Sequence, residues 1–319
     1  MKADLHVHTH YSGYSTLPGL TRVLRESYNT PELVYRLAKA RGMDLVAITD
    51  HDAIGGALAI HNQKDVIVGC EVTAEFPNES VCVHLNVLDI KPSQHEEIQR
   101  LRTDVRDLMP YLRAQRIFTS LNHVASGING PITGSHIAGL LPWVDALEIR
   151  NGSRLSSQNR TAAGLASRHN KVGLAGSDGH TPFPIGRTWV NAPAASNRDE
   201  FLRELRAGRV EVGGWHGSYF RMATDIVQAA GGFYADRLCQ VVKQPLDWKR
   251  QAFWWCGLFG MPMVAIPLIV AVGHFVLEER FNRALLFDLS TRPVNEAHDQ
   301  RLLFEHVARR PERLCKEVA

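Results

Sequence analysis

The sequence lacks a strong charge bias and a paired-cysteine pattern, and both absences exclude function classes. It has 36 lysines and arginines against 33 aspartates and glutamates, which gives a formal net charge of +3. Because nucleic-acid binding needs a clustered basic face, we expect no nucleic-acid partner. The five cysteines include no CxxC pair, so they indicate reduced thiols and neither a disulfide framework nor a zinc ribbon.

The N-terminus also lacks the basic region and apolar run of a secretory signal peptide, which predicts a domain that stays in the cytoplasm. Charge is missing again from Ala252 to Leu277. About twenty apolar residues suffice to cross a bilayer. We therefore expect residues 251–278 to span the membrane or to enter and leave on one side. The alternative is a buried core helix. If the segment lies in the cytoplasmic membrane, the catalytic domain is expected to face the cytoplasm.

Short apolar runs alternate with helical patterns through the first two thirds of the chain. One helix is predicted over residues 30–42, with Thr30 as N-cap, Pro31 at the first position and Gly42 at the C-cap. A long helix is predicted over 95–116. Strand and helix in alternation indicate an α/β fold with a largely parallel sheet, closed into a barrel.

The predicted organisation has four parts. A barrel domain covers residues 1–214 and a helical connector covers 215–250. The membrane segment at 251–278 is followed by an amphipathic charged tail at 279–319. The tail is expected to lie on a membrane surface or to form a contact between copies in a homo-oligomer.

Histidines and carboxylates cluster at the ends of the predicted strands. His6 and His8 form an HxH pair, and strand side chains repeat every two residues, so both imidazoles face one side. Imidazoles together with carboxylates suit divalent zinc, manganese or iron. Because the active end of an α/β barrel lies at the C-terminal ends of its strands, the pattern predicts a metal site there. The further candidate ligands are His51, Glu71, His84, His123, Asp178 and His180.

Five motifs in order, "HVHTHYS", "ITDHD", "GCE", "NHV" and "GSDGH", resemble those of the polymerase and histidinol phosphatase (PHP) superfamily. The resemblance covers residues 3–195 and is closest to the stand-alone metallohydrolases. It implies a distorted seven-stranded β/α barrel with two or three divalent metal ions at its C-terminal face. Most members of this family hydrolyse phosphate esters, and one branch hydrolyses other bonds.

The resemblance also implies a ligand set for each metal. The first metal takes His6, His8, Glu71 and Asp178. The second shares Glu71 and adds His84 and His123, and the third takes His51 and His180. The chain departs from the family where a further ligand usually follows the HxH pair, since Gly13 and Tyr14 stand there. Tyr14 and His10 are the candidate substitutes, and a weak or empty third site is the alternative.

The expected reaction is attack on a phosphate ester by a metal-activated hydroxide. Glu71 suits a bridging role, because one carboxylate binds two metals. His180, or Asp52 beside His51, is the candidate general acid. Arg154 and Arg187 are candidate phosphate-binding residues. Glu148 and Asn151 are expected to orient metal ligands.

Two other functions stay open at this point. The same metals also suit hydrolysis of an amide, ester or carbamate, which needs no phosphate-binding arginine. A catalytically silent, membrane-tethered binding module is the second alternative, and the filled ligand positions weigh against it. For the phosphoesterase, the expected substrate is a phosphorylated small molecule or a lipid head group.

Overall fold

A nine-stranded sheet forms the centre of the molecule. The computed structural model describes residues 1–15, 24–243, 252 and 265–291. The sheet order is β7-β6-β5-β4-β3-β2-β1-β8-β9, so the first seven strands lie in sequence order. The strands are β1 Lys2–Asp4, β2 Leu45–Ile48, β3 Val66–Glu75, β4 Cys82–Leu88, β5 Phe118–Leu121, β6 Ala146–Asn151, β7 Val172–Gly176, β8 Thr188–Asn191 and β9 Glu211–Gly214.

The first seven strands curl into a nearly closed barrel. β1, β2 and β3 pair in parallel, as do β5, β6 and β7. β4 is antiparallel to both β3 and β5, which distorts the barrel. Beyond the ends of β7 and β1, the backbone N–H of Asp178 donates to the His6 carbonyl at 2.8 Å, and the N–H of His8 donates to the Gly179 carbonyl at 3.1 Å. These bonds bring the two edges together, so an α/β, barrel-like sheet is present as predicted.

One core cluster takes at least one apolar side chain from each of the seven barrel strands. Residues from every strand meet in one cluster only inside the barrel, so this cluster fills its interior. Phe201 packs into the same cluster from a helix that follows β8. The barrel strands contribute Ala3, Leu45, Ala47, Ile67, Leu88, Phe118, Ala146, Leu174 and Ala175.

Nine helices are described, and most connect the strands. The helix predicted at 30–42 is confirmed: α1 begins at Pro31, the Thr30 side chain accepts a hydrogen bond from the Leu33 N–H at 3.2 Å, and Gly42 has a positive φ of 83°. The helices are α1 Pro31–Ala40, α2 Gly55–Ala59, α3 Pro92–Leu101, α4 Val105–Ala114, α5 Gly134–Leu140, α6 Ser156–Arg168, α7 Arg198–Arg206, α8 Tyr219–Lys243 and α9 Ala265–Thr291.

The prediction of a single helix over residues 95–116 is wrong. Two helices, α3 and α4, occupy this stretch and are separated by residues 102–104. The Asp104 carboxylate accepts from the Arg106 N–H at 2.9 Å and caps α4. An aspartate in an extended conformation at this position satisfies the first turn of a new helix, so the apolar periodicity continues across a break.

The C-terminal extension is helical where it is described. Residues 244–251 and 253–264, most of the first half of the predicted membrane segment, lie outside the described residues, as does the tail from 292. The second half of the segment belongs to α9, whose Glu278 and Asn282 are buried. Within residues 1–15, 24–243 and 265–291, no helix is both long and apolar enough to cross a membrane. The predicted membrane segment is therefore unsupported, and the four domain limits stay a prediction.

Candidate metal centre

The two histidines of the HxH pair lie where β1 leaves the sheet. Their rings face the same side, as the strand period predicts, with centroids 5.0 Å apart. Both side chains are buried. Imidazoles with no access to water need another partner for each ring nitrogen, so their neighbours define the site.

Glu71 of β3 is the common neighbour. Its Oε2 lies 3.0 Å from Nε2 of His6 and 3.2 Å from Nε2 of His8. Its Oε1 lies 3.0 Å from Nε2 of His123. His51 and His84 approach the same carboxylate through Nδ1, at 3.4 and 3.5 Å. Five imidazoles therefore surround one fully buried carboxylate.

Asp178, just beyond β7, is the second carboxylate of the cluster. Its Oδ1 lies 3.4 Å from Nε2 of His8, 3.5 Å from Nδ1 of His180 and 3.6 Å from Nε2 of His6. All eight ligands expected from the sequence are thus brought together. Their ligating atoms form four overlapping groups: His6, His8 and Glu71; His6, His123 and Asp178; His51, Glu71 and His84; and His8, His51 and His180.

These groups agree in part with the ligand sets that the family resemblance implies. His6, His8 and Glu71 are grouped as expected. His123, however, groups with His6 and Asp178, whereas His51 joins Glu71 and His84. The division of the ligands among individual ions therefore stays a prediction.

The atoms that face the centre of the cluster fit a divalent cation. Several are buried without a hydrogen-bond partner: Nε2 of His6, Nε2 of His8, Oε2 of Glu71 and Nδ1 of His84. Buried polar atoms without partners are rare and costly, so a convergent set of them needs an explanation. Imidazole nitrogens and carboxylate oxygens are donors for zinc, manganese and iron. The residues present could hold such ions.

Glu148 and Asn151 of β6 stand behind the ligands, as predicted. Glu148 accepts at Oε1 from Nδ1 of His6 at 2.8 Å, and at Oε2 from the His123 N–H at 3.0 Å. Asn151 donates to Glu148 Oε2 at 2.9 Å and to Asp178 Oδ2 at 3.2 Å. Contacts of this kind fix the orientation and tautomer of metal ligands.

Two orienting groups were missed by the sequence analysis. The Asn122 side chain donates to Glu71 Oε1 at 2.9 Å. Nδ1 of His8 lies 3.2 Å from the Ser12 hydroxyl, which in turn donates to Asp50 at 2.8 Å. Asn122 and Asp50 stand inside the motifs "NHV" and "ITDHD", directly beside the candidate ligands His123 and His51. Their position next to those ligands in the sequence could have identified them.

The electrostatics favour ionised carboxylates and divide the histidines into two sets. The pKa values of His51, His123 and His180 are lowered, whereas those of His6, His8 and His84 are raised. Burial opposes ionisation of Glu71, but the charges of His6 and His51 hold its pKa well below the ordinary value. Burial likewise opposes ionisation of Asp178, and the charge of His6 with the hydrogen bond from His8 lowers its pKa well below normal. Burial and the charge of His8 lower the pKa of His180 to about 3. Ionised carboxylates and neutral imidazoles are the ligand forms.

The backbone at two of these ligands is strained. His123 has a φ of 24° and Asp178 a φ of 52°, in the left-handed region that residues other than glycine seldom adopt. Such conformations persist where the surroundings over-determine them, and they concentrate at functional sites. Here they turn both side chains into the cluster at the ends of their strands.

The remaining predicted site residues lie in different surroundings. Arg154 reaches the cluster, with Nη2 3.4 Å from Asp178 Oδ2. The Arg187 guanidinium instead lies over the rings of Trp215 and Phe183, at 4.3 and 4.8 Å. The Asp52 carboxylate accepts from the Thr73 N–H at 2.9 Å and pairs with Arg102 at 3.5 Å.

The two candidate substitutes for a third-site ligand are turned elsewhere. Tyr14 is half exposed and contacts Arg25. Nδ1 of His10 lies 3.1 Å from the Asn29 carbonyl. Neither belongs to a metal-binding group of the described residues. The group that contains His51 and His180, the two ligands expected at the third site, adds only His8 and consists of histidines alone.

Comparison with known sequences places part of the barrel in a family. A family model described as PHP-associated matches residues 156–210, from α6 to just beyond α7. An uncharacterized protein of Methanocaldococcus jannaschii is 36% identical over 77 residues, which is 23% of this chain and 44% of the relative. The chain thus spans less than half the length of this curated relative.

One solved structure shares the fold at low sequence identity, and a second aligns less closely. A two-domain protein from Bacteroides vulgatus, described as containing a predicted PHP-like metal-dependent phosphoesterase, aligns with a TM-score of 0.50 and 18% identity, covering 72% of this chain and 69% of that one. An amidohydrolase from Chromobacterium violaceum aligns with a TM-score of 0.47 and 18% identity, covering 66% and 97%. The matched family model and the shared fold agree with the resemblance of the five ordered motifs to the PHP superfamily.

Proposed function

We propose that this protein is a metal-dependent phosphoesterase that uses two or three divalent ions, manganese, zinc or iron, to hydrolyse a phosphate ester. One observation carries the proposal. The nitrogen and oxygen atoms of six histidines and two carboxylates converge, several of them are buried without a hydrogen-bond partner, and an arginine stands beside them. Such a set suits binding of cations and of an anionic group that those cations attract.

Divalent ions held by this cluster would supply Lewis-acid stabilisation of phosphoryl charge and a lowered pKa for water. Hydrolysis adds one water to the ester. A P–O bond forms to the water oxygen, the ester P–O bond breaks, and the alcohol oxygen takes up a proton. The contribution of Glu71 is to hold its two oxygens toward different histidines, Oε2 toward His6 and His8 and Oε1 toward His123.

Arg154 is the proposed phosphate-binding residue. Its side chain is largely buried, one Nη atom lies 3.4 Å from Asp178, and its Nε has no hydrogen-bond partner. A guanidinium presents five donors in a plane, and the contact with Asp178 leaves several of them for phosphoryl oxygens. Its position beside a candidate ligand supports a phosphate that contacts metal and arginine together.

His180 is better suited to bind a metal than to act as a general acid. Its Nδ1 lies 3.1 Å from the Asp178 backbone carbonyl, a contact that places the proton on Nδ1 and leaves the Nε2 lone pair free. With a pKa of about 3, the imidazole is neutral at neutral pH. Asp52 faces Thr73 and Arg102, so protonation of the leaving oxygen by either residue stays a prediction.

The experiment is a phosphatase screen on the full chain, prepared metal-free and then loaded with Mn²⁺ or Zn²⁺. We expect phosphate release from a small phosphate ester only with metal. His6→Ala should abolish both metal binding and release. His61→Ala is the matched control, because His61 is exposed and bonds only to the nearby Leu58 carbonyl. Protein that binds metal through His6 yet hydrolyses no phosphate ester would contradict the proposal and favour the amide or carbamate reaction.

A further inference from the structure

A largely apolar cleft lies between α9, the start of α8 and the segment that precedes α6. Its volume is about 450 Å³, within the range of ligand-binding pockets. Hydrophobic side chains line both sides: Val272, Phe275 and Val276 on α9, and Leu155 and Tyr219 opposite. The shape and the largely apolar lining suit an apolar group.

The cleft adjoins the candidate metal centre through consecutive residues of the chain. Leu155 forms its wall, and the preceding Arg154 reaches Asp178 at 3.4 Å. On the α9 side, His274 precedes the wall residue Phe275. Burial lowers the pKa of His274, and the positive charge of Arg154 lowers it further. An anion held by Arg154 would therefore lie beside the residue that forms the wall of the cleft.

α9 is anchored by polar contacts, so the wall of the cleft is held in place. Glu278 is buried and accepts from the Gly127 N–H at 3.2 Å, and Asn282 accepts from the Thr161 hydroxyl at 2.8 Å. The outer face of the same helix is apolar and exposed. Ile269 and Leu277 are 69% and 66% exposed, a pattern that marks interaction surfaces in soluble domains.

Charge complementarity distinguishes between the occupants of such a cleft. Its lining includes two arginines, Arg280 and Arg283, and one carboxylate, Glu279, which pairs with Arg283 at 3.2 Å and leaves Arg280 as the cation in excess. With Arg154 at the inner side, cationic groups and apolar walls alternate over a short distance. A molecule with an anionic head and a hydrocarbon chain matches both features, whereas a purely polar phosphate would leave the apolar walls in water.

We propose that this cleft binds the hydrocarbon chain of an amphiphilic phosphate monoester whose phosphate is held at the candidate metal centre. The inference rests on the proposed phosphoesterase function and narrows its substrates to lipid-like phosphates. Chain length then becomes a specificity determinant, because each methylene that enters the cleft leaves water.

The test measures binding separately from turnover. Methyl, butyl and octyl phosphonates, which cannot be hydrolysed, are titrated into the metal-loaded full chain by calorimetry, below their micelle-forming concentrations. The matching phosphate esters are assayed in parallel for kcat/KM. Burial of each methylene is worth up to about fourfold in affinity. We expect the octyl phosphonate to bind at least about tenfold more tightly than the methyl phosphonate.

Two substitutions on one helix provide the matched comparison. Val276 lines the cleft and is 46% exposed, whereas Leu286 lies away from it and is 44% exposed. Val276→Asp should reduce the octyl-to-methyl affinity ratio by about tenfold, because a charge then lies against the chain. Leu286→Asp should leave the ratio unchanged. Both carry the same new charge at similar exposure, so a general effect of charge would alter both.

The outcomes separate this inference from the proposed function. If small esters are hydrolysed but the three phosphonates bind equally, the cleft does not bind the chain and the inference is wrong. If the octyl phosphonate binds more tightly but no ester is hydrolysed, the cleft is upheld and the phosphoesterase proposal fails. If Val276→Asp converts a dimer to a monomer in sedimentation without changing the ratio, the cleft is a contact between copies, which also overturns the inference.

Discussion

Oε1 of Glu148 lies 2.8 Å from Nδ1 of His6, on the side of the ring that faces away from Glu71. This contact places the proton on Nδ1 and directs the Nε2 lone pair into the cluster. We expect Glu148→Gln to weaken Mn²⁺ or Zn²⁺ binding by about 10- to 100-fold. Calorimetric titration of metal-free protein measures the change.

The His136–Glu79 pair is the control for this prediction. Its Nε2–Oε2 distance is also 2.8 Å, and neither residue belongs to a metal-binding group of the described chain. Glu79→Gln should leave the metal affinity unchanged. Equal losses in the two variants would mean that Glu148 acts through general stability and not through orientation of His6.

Removal of Arg154 should lower kcat/KM for a phosphate ester. Hydrogen bonds to charged groups contribute about 1.5–3 kcal/mol each, so we expect Arg154→Met to lower kcat/KM by about 100-fold. Arg154→Lys should recover only part of the loss, because an ammonium cannot form the paired contacts of a guanidinium. Steady-state assays at saturating metal measure both variants, and a change of less than a few fold for Arg154→Met would contradict the role.

Arg187 provides a direct contrast. Its guanidinium stacks on Trp215 and Phe183, and such contacts contribute about 0.5–2 kcal/mol. We expect Arg187→Met to lower the free energy of unfolding by this amount and to change kcat/KM by only a few fold. If Arg187→Met instead loses as much activity as Arg154→Met while its melting temperature stays normal, the phosphate-binding role predicted from the sequence is right.

The ligand cluster was predictable because it depends on short-range geometry. The period of a strand places His6 and His8 on one side without knowledge of the rest of the fold. Residues at the ends of successive strands, such as Glu71 and Asp178, then meet once the sheet curls. The alternation of strands and helices was likewise sufficient to predict a barrel-like sheet.

The features that could not be predicted depend on the direction of a strand and on contacts with residues that are distant in the sequence. Alternation in β4 shows a half-buried strand but not that it runs antiparallel to β3 and β5. The break between α3 and α4 depends on whether Asp104 caps a helix or continues one, and composition permits both. Arg187 follows a motif at the expected spacing, yet its side chain is held by Trp215, which lies beyond two further strands.

Asp225 of α8 should make the free energy of unfolding depend on pH. Its carboxylate accepts from the Thr181 hydroxyl at 2.5 Å, and burial raises its pKa from 3.8 to about 6. The folded protein therefore binds this proton more tightly than the unfolded chain. The stabilisation is fully present below about pH 4 and is lost as the pH rises through about 6. Asp225→Asn should raise the free energy of unfolding at pH 7.5 by at most about 3 kcal/mol.

Urea denaturation at several pH values between 4 and 7.5 tests this expectation. The advantage of Asp225→Asn should shrink as the pH falls, because protonated aspartic acid and asparagine are both neutral. Asp199→Asn is the control, since the Asp199 carboxylate is 85% exposed. A constant difference between Asp225→Asn and the unmodified protein at every pH would show that ionisation of Asp225 is not the cause.

Glu278 should account for much of the attachment of α9 to the barrel. Its Oε2 accepts from the Gly127 N–H at 3.2 Å and from the Gln158 side chain at 2.5 Å. Glu278→Ala removes the acceptor of the partly buried Gly127 N–H and one of the two acceptors of the buried Gln158 amide, whose other bond goes to the Ala125 carbonyl. An unpaired donor costs about 1–3 kcal/mol, so we expect faster hydrogen exchange along α9 and a loss of about 1–3 kcal/mol in its opening free energy.

The neighbouring Glu279 serves as the control for Glu278. It accepts from the Ser157 hydroxyl at 2.8 Å and pairs with the exposed Arg283. An ion pair in solvent contributes little, so Glu279→Ala should cost about 1 kcal/mol or less. If both variants speed exchange along α9 equally, apolar packing at Ala271 and Leu285 holds the helix and the buried carboxylate does not. Glu278→Gln separates the effect of the hydrogen bond from the effect of the charge, because an amide oxygen still accepts from Gly127 whereas the negative charge is gone.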